Sequence, residues 1–287
     1  MNETIVIFGG TGRVGEPVAR QLLSEGCNVR VFTRDERSAK LKLGSDVEFV
    51  RGDVADLSAV ERAMSGCTYA HISLDGRGDW DIERRGVEHV AQAGARVGLK
   101  HITLTSGATT CEENAWFPMI RAKLDGENAL RRSGVPFTIF RCTMFMETLP
   151  AFVRDGKAVL MGNQPAPFRW VAATDYAALV LKAHRTDAAH GKTLYVYGPE
   201  PFTMKQALEV YCAVCAPGAK LAHVPFWMLS VISLFPGRSA LRRVALPLME
   251  YFSKVKETGD ASETDTLLGK PSTTLREWCG LRMMRPQ

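Results

Sequence analysis

The sequence lacks three features that would each define a class of protein: a long apolar run, a block of like charge and a regular set of paired cysteines. Its longest apolar stretch runs from Val224 to Phe235, which is shorter than the roughly 20 residues of a membrane-spanning helix. The 7 cysteines are odd in number and scattered, as is typical of reduced thiols. These absences argue against a transmembrane protein and a disulfide-stapled module. We expect a cytoplasmic protein, with an organellar or membrane-peripheral location as the alternative.

Neither a nucleic-acid partner nor a metal site is indicated by the residue pattern. The formal net charge is +5 over 287 residues, and the basic residues are dispersed among acidic ones instead of forming a stripe. Cys212 and Cys215 form a lone C-A-V-C pair without a second pair. We interpret them as two residues of one helix face, with a redox or metal role as the alternative. No metal site and no nucleic-acid partner are predicted.

The chain begins with an apolar strand that leads into a glycine-rich loop and a helix. Residues 4–8, TIVIF, are β-branched and aromatic, as in a parallel strand that is buried on both faces. After the glycines, Val14, Val18 and Leu22 recur at helical spacing, and Gly26 is placed to end the helix. No secretory signal is expected, because the first residues already form this strand.

The alternation of strand and helix continues to about residue 141. Further strands are predicted at 28–34, 47–53, 68–74, 100–106 and 136–141, and helices at about 36–43, 57–65, 82–97 and 119–132. Right-handed connections between such elements produce a parallel sheet with helices on both faces. The predicted fold class is therefore α/β, a doubly wound parallel Rossmann sheet with a smaller C-terminal substrate lobe.

The loop after the first strand has the spacing of a dinucleotide-binding motif. Its glycines fit both G-x-G-x-x-G and the related G-x-x-G-x-x-G. One glycine allows a tight turn, the next lets the backbone approach a pyrophosphate, and the last lets the helix pack closely on the strand. Amide groups at the positive helix terminus then face the phosphates. We predict a cofactor cradle, with an ordinary tight turn as the alternative; its residues are Gly9, Gly10, Thr11, Gly12, Arg13, Val14 and Gly15.

The end of the second strand indicates which dinucleotide binds. An NAD site usually has an acidic residue there, but Thr33 and Arg34 come first and Asp35 follows them. Arg34, together with Arg13, suits the 2′-phosphate of NADP(H). NADP(H) is therefore the preferred cofactor, while Asp35 keeps NAD(H) as the alternative. Arg37 or Lys40 on the next helix would add further charge.

Asp53 and Val54 follow the third strand and are also predicted to contact the cofactor. A carboxylate at this position can accept a hydrogen bond from the adenine amino group, and a small apolar residue can line the ring. The residue pattern alone allows Asp53 to cap the following helix equally well.

The domain organisation follows from these patterns. Residues 1–150 are predicted to form an NAD(P)-binding Rossmann domain to which 165–200 return. Residues 150–287 are predicted to be mainly a substrate lobe and C-terminal helices. The polar stretch from Lys256 to Asp265 is interpreted as a solvated loop.

Several stretches within about the first 210 residues carry a family resemblance. They are GGTGRVG, VRGDVAD, KHITLTS, RAKLDGENALRRSGVPFTIFRCTMFME, Asp175 in WVAATDYAALV, and YVYGPEPFTMKQAL. Together they resemble the NmrA-like branch of the atypical short-chain dehydrogenase/reductase family. The resemblance implies a Rossmann domain, NAD(P)(H) in an extended pose and a small C-terminal substrate lobe. It assigns to the cofactor Gly9, Gly10, Gly12, Gly15, Arg34 and Asp53.

One residue departs from the catalytic pattern of the wider family. Classical and extended relatives use Ser together with Tyr and Lys spaced Y-x-x-x-K. Ser106 matches the serine and Lys123 the lysine, but Met119 stands where the tyrosine is expected, and methionine transfers no proton. We predict Lys123 and Ser106 as catalytic residues, with Lys123 also contacting the cofactor. The alternatives are a surface ion pair of Lys123 with Glu127 and a turn role for Ser106.

Two functions of different classes follow. The favoured one is an NADP(H)-dependent oxidoreductase of a small apolar carbonyl, enone or quinone substrate, in which Lys123 assists hydride transfer and Ser106 polarises a carbonyl. The alternative is a non-catalytic NAD(P)(H)-binding redox sensor, assembly or regulatory protein, as the resemblance to other NmrA-like members implies. For Arg141, at the end of the sixth strand, a cofactor contact and a structural carboxylate partner both stay open.

The C-terminal segment 224–255 combines large apolar side chains with three arginines, Arg238, Arg242 and Arg243. Most such segments are core and lid packing. A sharper hypothesis is that it lines an apolar substrate slot or lies against a membrane surface where a lipid quinone is available.

Overall fold

The computed structural model describes residues 3–76, 78–235 and 237–284, and these form two compact units. The first unit comprises the described residues up to Cys142 together with Ala173–Val196 and Asp260–Lys270. The second unit comprises Thr143–Ala172, Tyr197–Gly259 and the described residues from Pro271 onward. The substrate role assigned above to residues 150–287 stays a prediction.

Strands and helices alternate through the first part of the chain, as predicted. In chain order the elements are β1 Thr4–Phe8, α1 Gly15–Ser24, β2 Asn28–Thr33, α2 Glu36–Leu43, β3 Glu48–Arg51, α3 Leu57–Met64, β4 Tyr69–Ile72, α4 Trp80–Val97, β5 His101–Gly107, α5 Pro118–Arg132, β6 Phe137–Cys142, β7 Val153–Arg154, β8 Lys157–Met161, α6 Ala173–His184, β9 Lys192–Val196, α7 Met204–Cys215, β10 Lys220–Val224, α8 Phe226–Ile232, α9 Leu246–Lys254, α10 Ser262–Leu267 and α11 Leu275–Met284.

The first unit is built on a parallel sheet in the order β3-β2-β1-β4-β5-β6-β9. Every neighbouring pair is parallel, for example Ile5 with Val29 of β2 and with Tyr69 of β4. From β1 the chain adds β2 and β3 on one side and β4, β5, β6 and β9 on the other. The doubly wound Rossmann fold is thereby confirmed, and the strand order changes direction between β1 and β4.

Local chemistry explains why these elements form. Ile5, Val6, Ile7 and Phe8 are almost completely buried, as expected of a central parallel strand that is covered on both faces. Gly26, which is predicted to end the helix before β2, has positive φ, a conformation that L-residues rarely adopt. So do the glycines ahead of β4, β5 and β6, which are Gly66, Gly98 and Gly134. The strand and helix boundaries could therefore be predicted closely from periodicity and glycine positions.

A cluster of four histidines lies in the core of the first unit. His101 Nδ1 is 3.0 Å from His184 Nδ1, and His71 Nδ1 is 2.9 Å from the hydroxyl of Thr103. The ring of His190 stacks on that of His101 at 4.1 Å. Burial lowers the pKa of His71 and of His101 to about 3, so both rings are neutral at neutral pH. His101 begins β5, at the edge opposite the carboxyl ends of the strands, and the cluster does not belong to the site described below.

The second unit has its own small sheet and core. β8 pairs parallel with β10 and antiparallel with β7. Its core contains Trp170, whose indole donates to the carbonyl of Phe202 at 3.0 Å, and Trp278, whose indole donates to Glu147 at 2.8 Å. Cys212 and Cys215 lie on α7, in agreement with the prediction that they share one helix.

The interpretation of 256–265 as one solvated loop is wrong for its second half, because α10 begins at Ser262. Asp260 accepts a hydrogen bond from the Ser262 amide at 3.0 Å just ahead of this helix. Thr264 is buried and donates to the carbonyl of Tyr195 at 2.6 Å. This tertiary bond to β9 gives a polar segment a fixed place that its composition does not reveal.

Neither a membrane-spanning helix nor a metal cluster is found among the residues that the structure describes. No helix in 3–76, 78–235 or 237–284 combines the length and the apolar character needed to traverse a bilayer. No group of three or more His, Cys, Asp or Glu side chains in the same ranges is arranged to hold a metal ion.

Candidate functional site

Apart from Lys123, which lies on α5, the predicted site residues of the first unit lie at or just beyond the carboxyl ends of strands of the parallel sheet. The glycine loop follows β1, Arg34 follows β2, Asp53 follows β3, and Ser106 is the penultimate residue of β5. Because these strands are parallel, their carboxyl ends share one edge of the sheet. In open α/β sheets, ligands bind at this edge, at the point where the strand order changes direction.

The glycine loop is packed so tightly that side chains are excluded at two positions. Gly9 has φ of +88°, and a Cβ there would overlap the carbonyl oxygen of Ser73, the residue after β4. A Cβ on Gly15 would overlap the carbonyl oxygen of Gly9. The Gly12 amide donates to that same oxygen at 2.9 Å, closing a turn. The first turn of α1 is thus held closely against the loop that follows β1.

The N-terminus of α1 has no side-chain cap. Its N-cap residue is Val14, whose apolar side chain accepts no hydrogen bond from the helix. In α1 the Glu16 amide donates to the carbonyl of Gly12 at 3.0 Å and Pro17 has no amide proton, and the first turn carries the positive end of the helix dipole. This arrangement suits an anionic group such as a phosphate.

A lysine that the sequence analysis did not single out holds the glycine loop. Lys42 Nζ donates to the carbonyl of Thr11 at 2.8 Å and pairs with Glu16 at 3.0 Å. Arg37 and Lys40, the cations of α2 predicted above to add charge at the cofactor site, are both exposed. Helical periodicity places Lys42 in the last turn of α2 but gives no sign that it reaches a loop 31 residues earlier.

The two charged residues after β2 have different surroundings. Arg34 is exposed and forms no ion pair with any residue that the structure describes. Asp35 is the N-cap of α2, and its carboxylate accepts from the Ser38 amide at 3.0 Å. In the glycine loop, the Arg13 guanidinium lies 3.7 Å from the carboxylate of Asp75. Of these two residues after β2, Arg34 is therefore the one whose charged group is not used by a described residue.

Asp53 does not cap the helix that follows it. Asp56 is the N-cap of α3 and accepts from the amides of Ser58 and Ala59. Asp53 is exposed and accepts from the Ala55 amide at 2.9 Å. Of the two interpretations considered above, the capping role belongs to Asp56. Val54 is half-buried and packs against the core of the first unit.

Ser106 and Lys123 line one small cavity of about 20 Å³ within the first unit. Glu83 also lines it, and its remaining walls are Ile72, Leu74, Val87, Leu104, Thr105 and Ala122. Glu83 is buried; one of its carboxylate oxygens accepts from Lys123 Nζ at 3.1 Å and the other from the Gly76 amide at 3.1 Å. Glu83 thereby joins Lys123 to the loop that follows β4.

Lys123 is held as a charged ammonium group. Its side chain is 21% exposed. Burial alone would lower the pKa of Lys123, but the charge of Glu83 and the hydrogen bond to it raise that pKa above its ordinary value. A lysine ammonium has three N–H donors. With one donor directed at Glu83, the others remain for a ligand.

The alternative interpretation, a surface ion pair between Lys123 and Glu127, is wrong, because Glu127 is fully buried and has other partners. Arg141 donates to both of its oxygens, at 3.2 and 2.8 Å, and Arg131 donates at 2.9 Å. Burial would lower the pKa of Arg141, but its hydrogen bonds to Glu127 raise it. The question left open for Arg141 is thereby answered in favour of a structural carboxylate.

Ser106 belongs to the same buried network. It is a buried residue of β5 and not part of a turn, and its hydroxyl donates to Glu127 at 2.6 Å. A serine hydroxyl has a single proton to donate. Polarisation of a substrate carbonyl by Ser106 would therefore require this bond to break.

These features define a Rossmann-type protein with a glycine loop at the switch point of its sheet and a charged lysine near the carboxyl end of β5. The family model described as NmrA-like family matches residues 1–279. The chain therefore belongs to the NmrA-like family, as the resemblance implied.

Individual relatives cover nearly the whole chain at low identity. A (4-alkanoyl-5-oxo-2,5-dihydrofuran-3-yl)methyl phosphate reductase of Streptomyces griseus is 28% identical, over 96% of each chain. Photosystem II assembly factor Ycf39 of Trieres chinensis is 22% identical, over 80% of this chain and 75% of its own. Among solved structures, an NADPH-dependent quinone oxidoreductase of Escherichia coli in complex with NADPH has a TM-score of 0.72 at 20% identity, over 97% of this chain and 99% of its own. The similarity to this Escherichia coli structure, at 20% identity, shows a shared fold and nothing further.

Proposed function

We propose that this protein is an NADP(H)-dependent oxidoreductase that reduces a small, largely apolar compound with a conjugated carbonyl group, such as an enone or quinone. The observation that carries the proposal is the packing of Gly9 and Gly15: a Cβ at either position would overlap a backbone carbonyl oxygen, so only glycine lets the backbone of the cradle pack this closely. The cradle lies at the switch point of the sheet, beside an uncapped helix N-terminus. A dinucleotide pyrophosphate has the charge and size that such a cradle accepts.

Cofactor binding is assigned to the residues that surround this cradle. The pyrophosphate would be held by the backbone from Gly9 to Gly15, with Arg13 nearby. Asp53 and Val54 would contact the adenine, and Lys123 the nicotinamide side. Arg34 would pair with a 2′-phosphate, and Asp35 is already used as a helix cap. This difference supports NADP(H) over NAD(H).

Lys123 is the residue to which we assign the chemical step. Bound NADPH supplies a hydride to the acceptor. The Lys123 ammonium then donates a hydrogen bond, and finally a proton, to the oxygen on which negative charge develops, which is the role that a tyrosine at position 119 would otherwise fill. Glu83 keeps the ammonium charged and in place. The polarising role of Ser106 stays a prediction.

The relatives support an acceptor with a conjugated carbonyl group. The name of the Streptomyces griseus reductase describes the methyl phosphate of an alkanoyl-substituted dihydrofuranone, and that of the Escherichia coli enzyme describes a quinone. Both compounds contain a carbonyl group conjugated with a C=C double bond, an electron-poor π-system to which a hydride can add.

A steady-state screen of NADPH oxidation tests the proposed function. The panel contains quinones, enones and alkanoyl-dihydrofuranones, and turnover with at least one class is expected. Tight binding of NADPH without turnover on any of them would overturn the oxidoreductase proposal. That result would favour the second candidate, a cofactor-binding assembly or regulatory protein, which is supported by Met119 and by the Ycf39 relative.

The cofactor preference has its own test. Arg34→Ala should weaken NADPH binding by about tenfold to a hundredfold, as expected for the loss of a hydrogen bond to a charged group, and should leave NADH binding nearly unchanged. Arg62→Ala, which removes an exposed arginine of α3, serves as the control for net charge. Equal losses of NADPH and NADH affinity in Arg34→Ala would contradict the assignment of the 2′-phosphate.

A further inference from the structure

A continuous segment of the second unit exposes an unusual number of large apolar side chains. Six of the twelve exposed large apolar residues among those described lie between Leu221 and Phe235; they are Leu221, Trp227, Met228, Val231, Leu234 and Phe235. Trp227 is 67% exposed, Leu234 71% and Phe235 63%. Isolated exposed apolar residues are ordinary, but a concentration of them in one segment marks a contact surface.

The segment is firmly anchored to its unit. The ring of Phe226 lies so close to Gly162, the residue after β8, that a Cβ there would overlap it. The Gly162 amide donates to the carbonyl of Val224 at 2.9 Å. Leu229 and Ser233 are buried on the inner side of α8 and the turn that follows it. The exposed side chains are therefore displayed by an ordered element.

The charge of this region has one sign. Between Glu209 and Glu250 the sequence contains no acidic residue, while Arg238, Arg242 and Arg243 follow directly after the exposed apolar side chains. All three arginines are exposed, and none forms an ion pair with a residue that the structure describes. Such a surface is electrostatically complementary to an anionic partner.

We propose that residues 221–235 and 237–243 form a docking surface for an anionic lipid bilayer. The combination of exposed Trp, Leu and Phe with neighbouring arginines is the composition of segments that lie in the interface of a membrane. The indole of Trp227 suits the headgroup level, and Leu234 and Phe235 would enter the outer part of the acyl region. The arginines would lie among the anionic headgroups. This surface belongs to the second unit and does not depend on the proposed reductase function.

Cosedimentation with vesicles tests the proposal with the full chain. Vesicles of phosphatidylcholine are compared with vesicles in which about one-third of the lipid is phosphatidylglycerol. The wild-type protein should sediment with the anionic vesicles, and high salt should weaken this binding, because salt screens the charges. No sedimentation with anionic vesicles, or equal sedimentation with neutral ones, would overturn the proposal.

Two triple variants separate the contributions of charge and apolar surface. Replacing Arg238, Arg242 and Arg243 by Gln should weaken binding by about a hundredfold, from about fivefold for each arginine near an anionic surface. The matched control replaces three exposed cations of the same unit, Lys205, Lys256 and Arg276, by Gln, and should bind as wild type does. Equal loss in both triple variants would mean that net charge and not this surface is responsible, which overturns the proposal.

Replacing Trp227, Leu234 and Phe235 by Ser should also weaken vesicle binding by at least about tenfold. The control replaces the exposed Leu41, Leu281 and Met284 by Ser. Analytical ultracentrifugation without lipid tests whether the surface instead covers a second copy of the chain. The proposal fails if the wild type is dimeric, the triple Ser variant of Trp227, Leu234 and Phe235 is monomeric, and neither protein binds vesicles. In that case the surface is a protein interface.

Discussion

The glycine loop and the Ser106–Lys123 cavity both lie in the first unit, and both are formed at the carboxyl ends of parallel strands, yet they are built from different parts of the chain. The loop is made of backbone: Gly9 packs on Ser73 and Gly15 on Gly9. The cavity depends on side chains from separate elements, with Glu83 on α4, Lys123 on α5 and Ser106 on β5. The motif of the loop is therefore contained in seven consecutive residues, Gly9 to Gly15, although Ser73 and Lys42 help to hold it, whereas the side chains of the cavity come together only in the folded chain.

The two carboxylates near the cavity differ as well. Glu127 is fully buried and neutralised by Arg131 and Arg141, which makes it part of the framework. Glu83 pairs with Lys123, whose side chain retains some exposure. The buried ion pairs of Glu127 with the two arginines fix the arrangement of these side chains. The pair of Glu83 with Lys123 instead leaves a charged donor partly exposed. The substitutions below are designed to separate these two roles.

The largest effect is expected from Glu127→Gln. The change leaves Arg131 and Arg141 without a balancing charge, so the free energy of unfolding should fall by about 3–5 kcal/mol. Urea unfolding measures this loss. Glu112→Gln, which alters an exposed ion pair with Arg121, should cost less than about 1 kcal/mol. Equal costs for the two variants would contradict the framework role of Glu127.

Gly15→Ala tests the backbone-built region. The added methyl group would press on the carbonyl oxygen of Gly9, at a cost of about 1–3 kcal/mol, and NADPH affinity should fall at least about tenfold because the cradle is displaced. Nicotinamide fluorescence titration gives the affinity. Gly280→Ala serves as the control, since a Cβ there has open space. Unchanged NADPH affinity in Gly15→Ala would show that the cofactor does not lie on this loop.

The glycine loop and the helix boundaries could be predicted from sequence, whereas the side-chain contacts of the cavity could not. Helix α2 was predicted at 36–43 and is found at Glu36–Leu43, and the glycine motif was placed correctly between β1 and α1, because periodicity and glycine spacing are local signals. The pairing of Lys123 with Glu83, 40 residues earlier, has no local signal. The i,i+4 spacing of Lys123 and Glu127 even pointed to the wrong partner, because tertiary burial of Glu127 overrides helix-surface pairing.

The contact made by an α2 lysine and the burial of a polar residue were equally hard to predict from the local sequence pattern. Lys42 is one of several cations on α2, and only the fold shows that it reaches the carbonyl of Thr11. Thr264 lies in a polar stretch whose composition indicated a solvated loop, yet the fold buries it against β9. In both cases the deciding contact joins residues that are distant in sequence.

A smaller effect is expected from Glu83→Gln, which tests the side-chain-built cavity. Removing this charge takes away the main interaction that raises the pKa of Lys123 and leaves the effect of burial, which lowers it. Lys123 should then lose its proton at lower pH, so the alkaline limb of the kcat profile should move to lower pH. At neutral pH, kcat should fall by about tenfold because the ammonium is less well positioned.

The matched control for that variant is Glu88→Gln, on the exposed side of the same helix, where Glu88 pairs with Arg84. It should leave both the pH profile and kcat unchanged. An alkaline limb that stays in place in Glu83→Gln would show that Glu83 does not control the charge of Lys123.

The most direct test of the account is a single-turnover measurement of hydride transfer from prebound NADPH to an accepted quinone or enone, comparing wild type with Lys123→Met. We expect a transfer rate at least about a hundredfold lower in the variant at saturating NADPH, from the loss of general acid catalysis, together with a lower free energy of unfolding because buried Glu83 loses its ion-pair partner. Lys100→Met, at an exposed position, should transfer hydride as wild type does. An unchanged rate in Lys123→Met would contradict the assignment of the proton-donating role to this lysine.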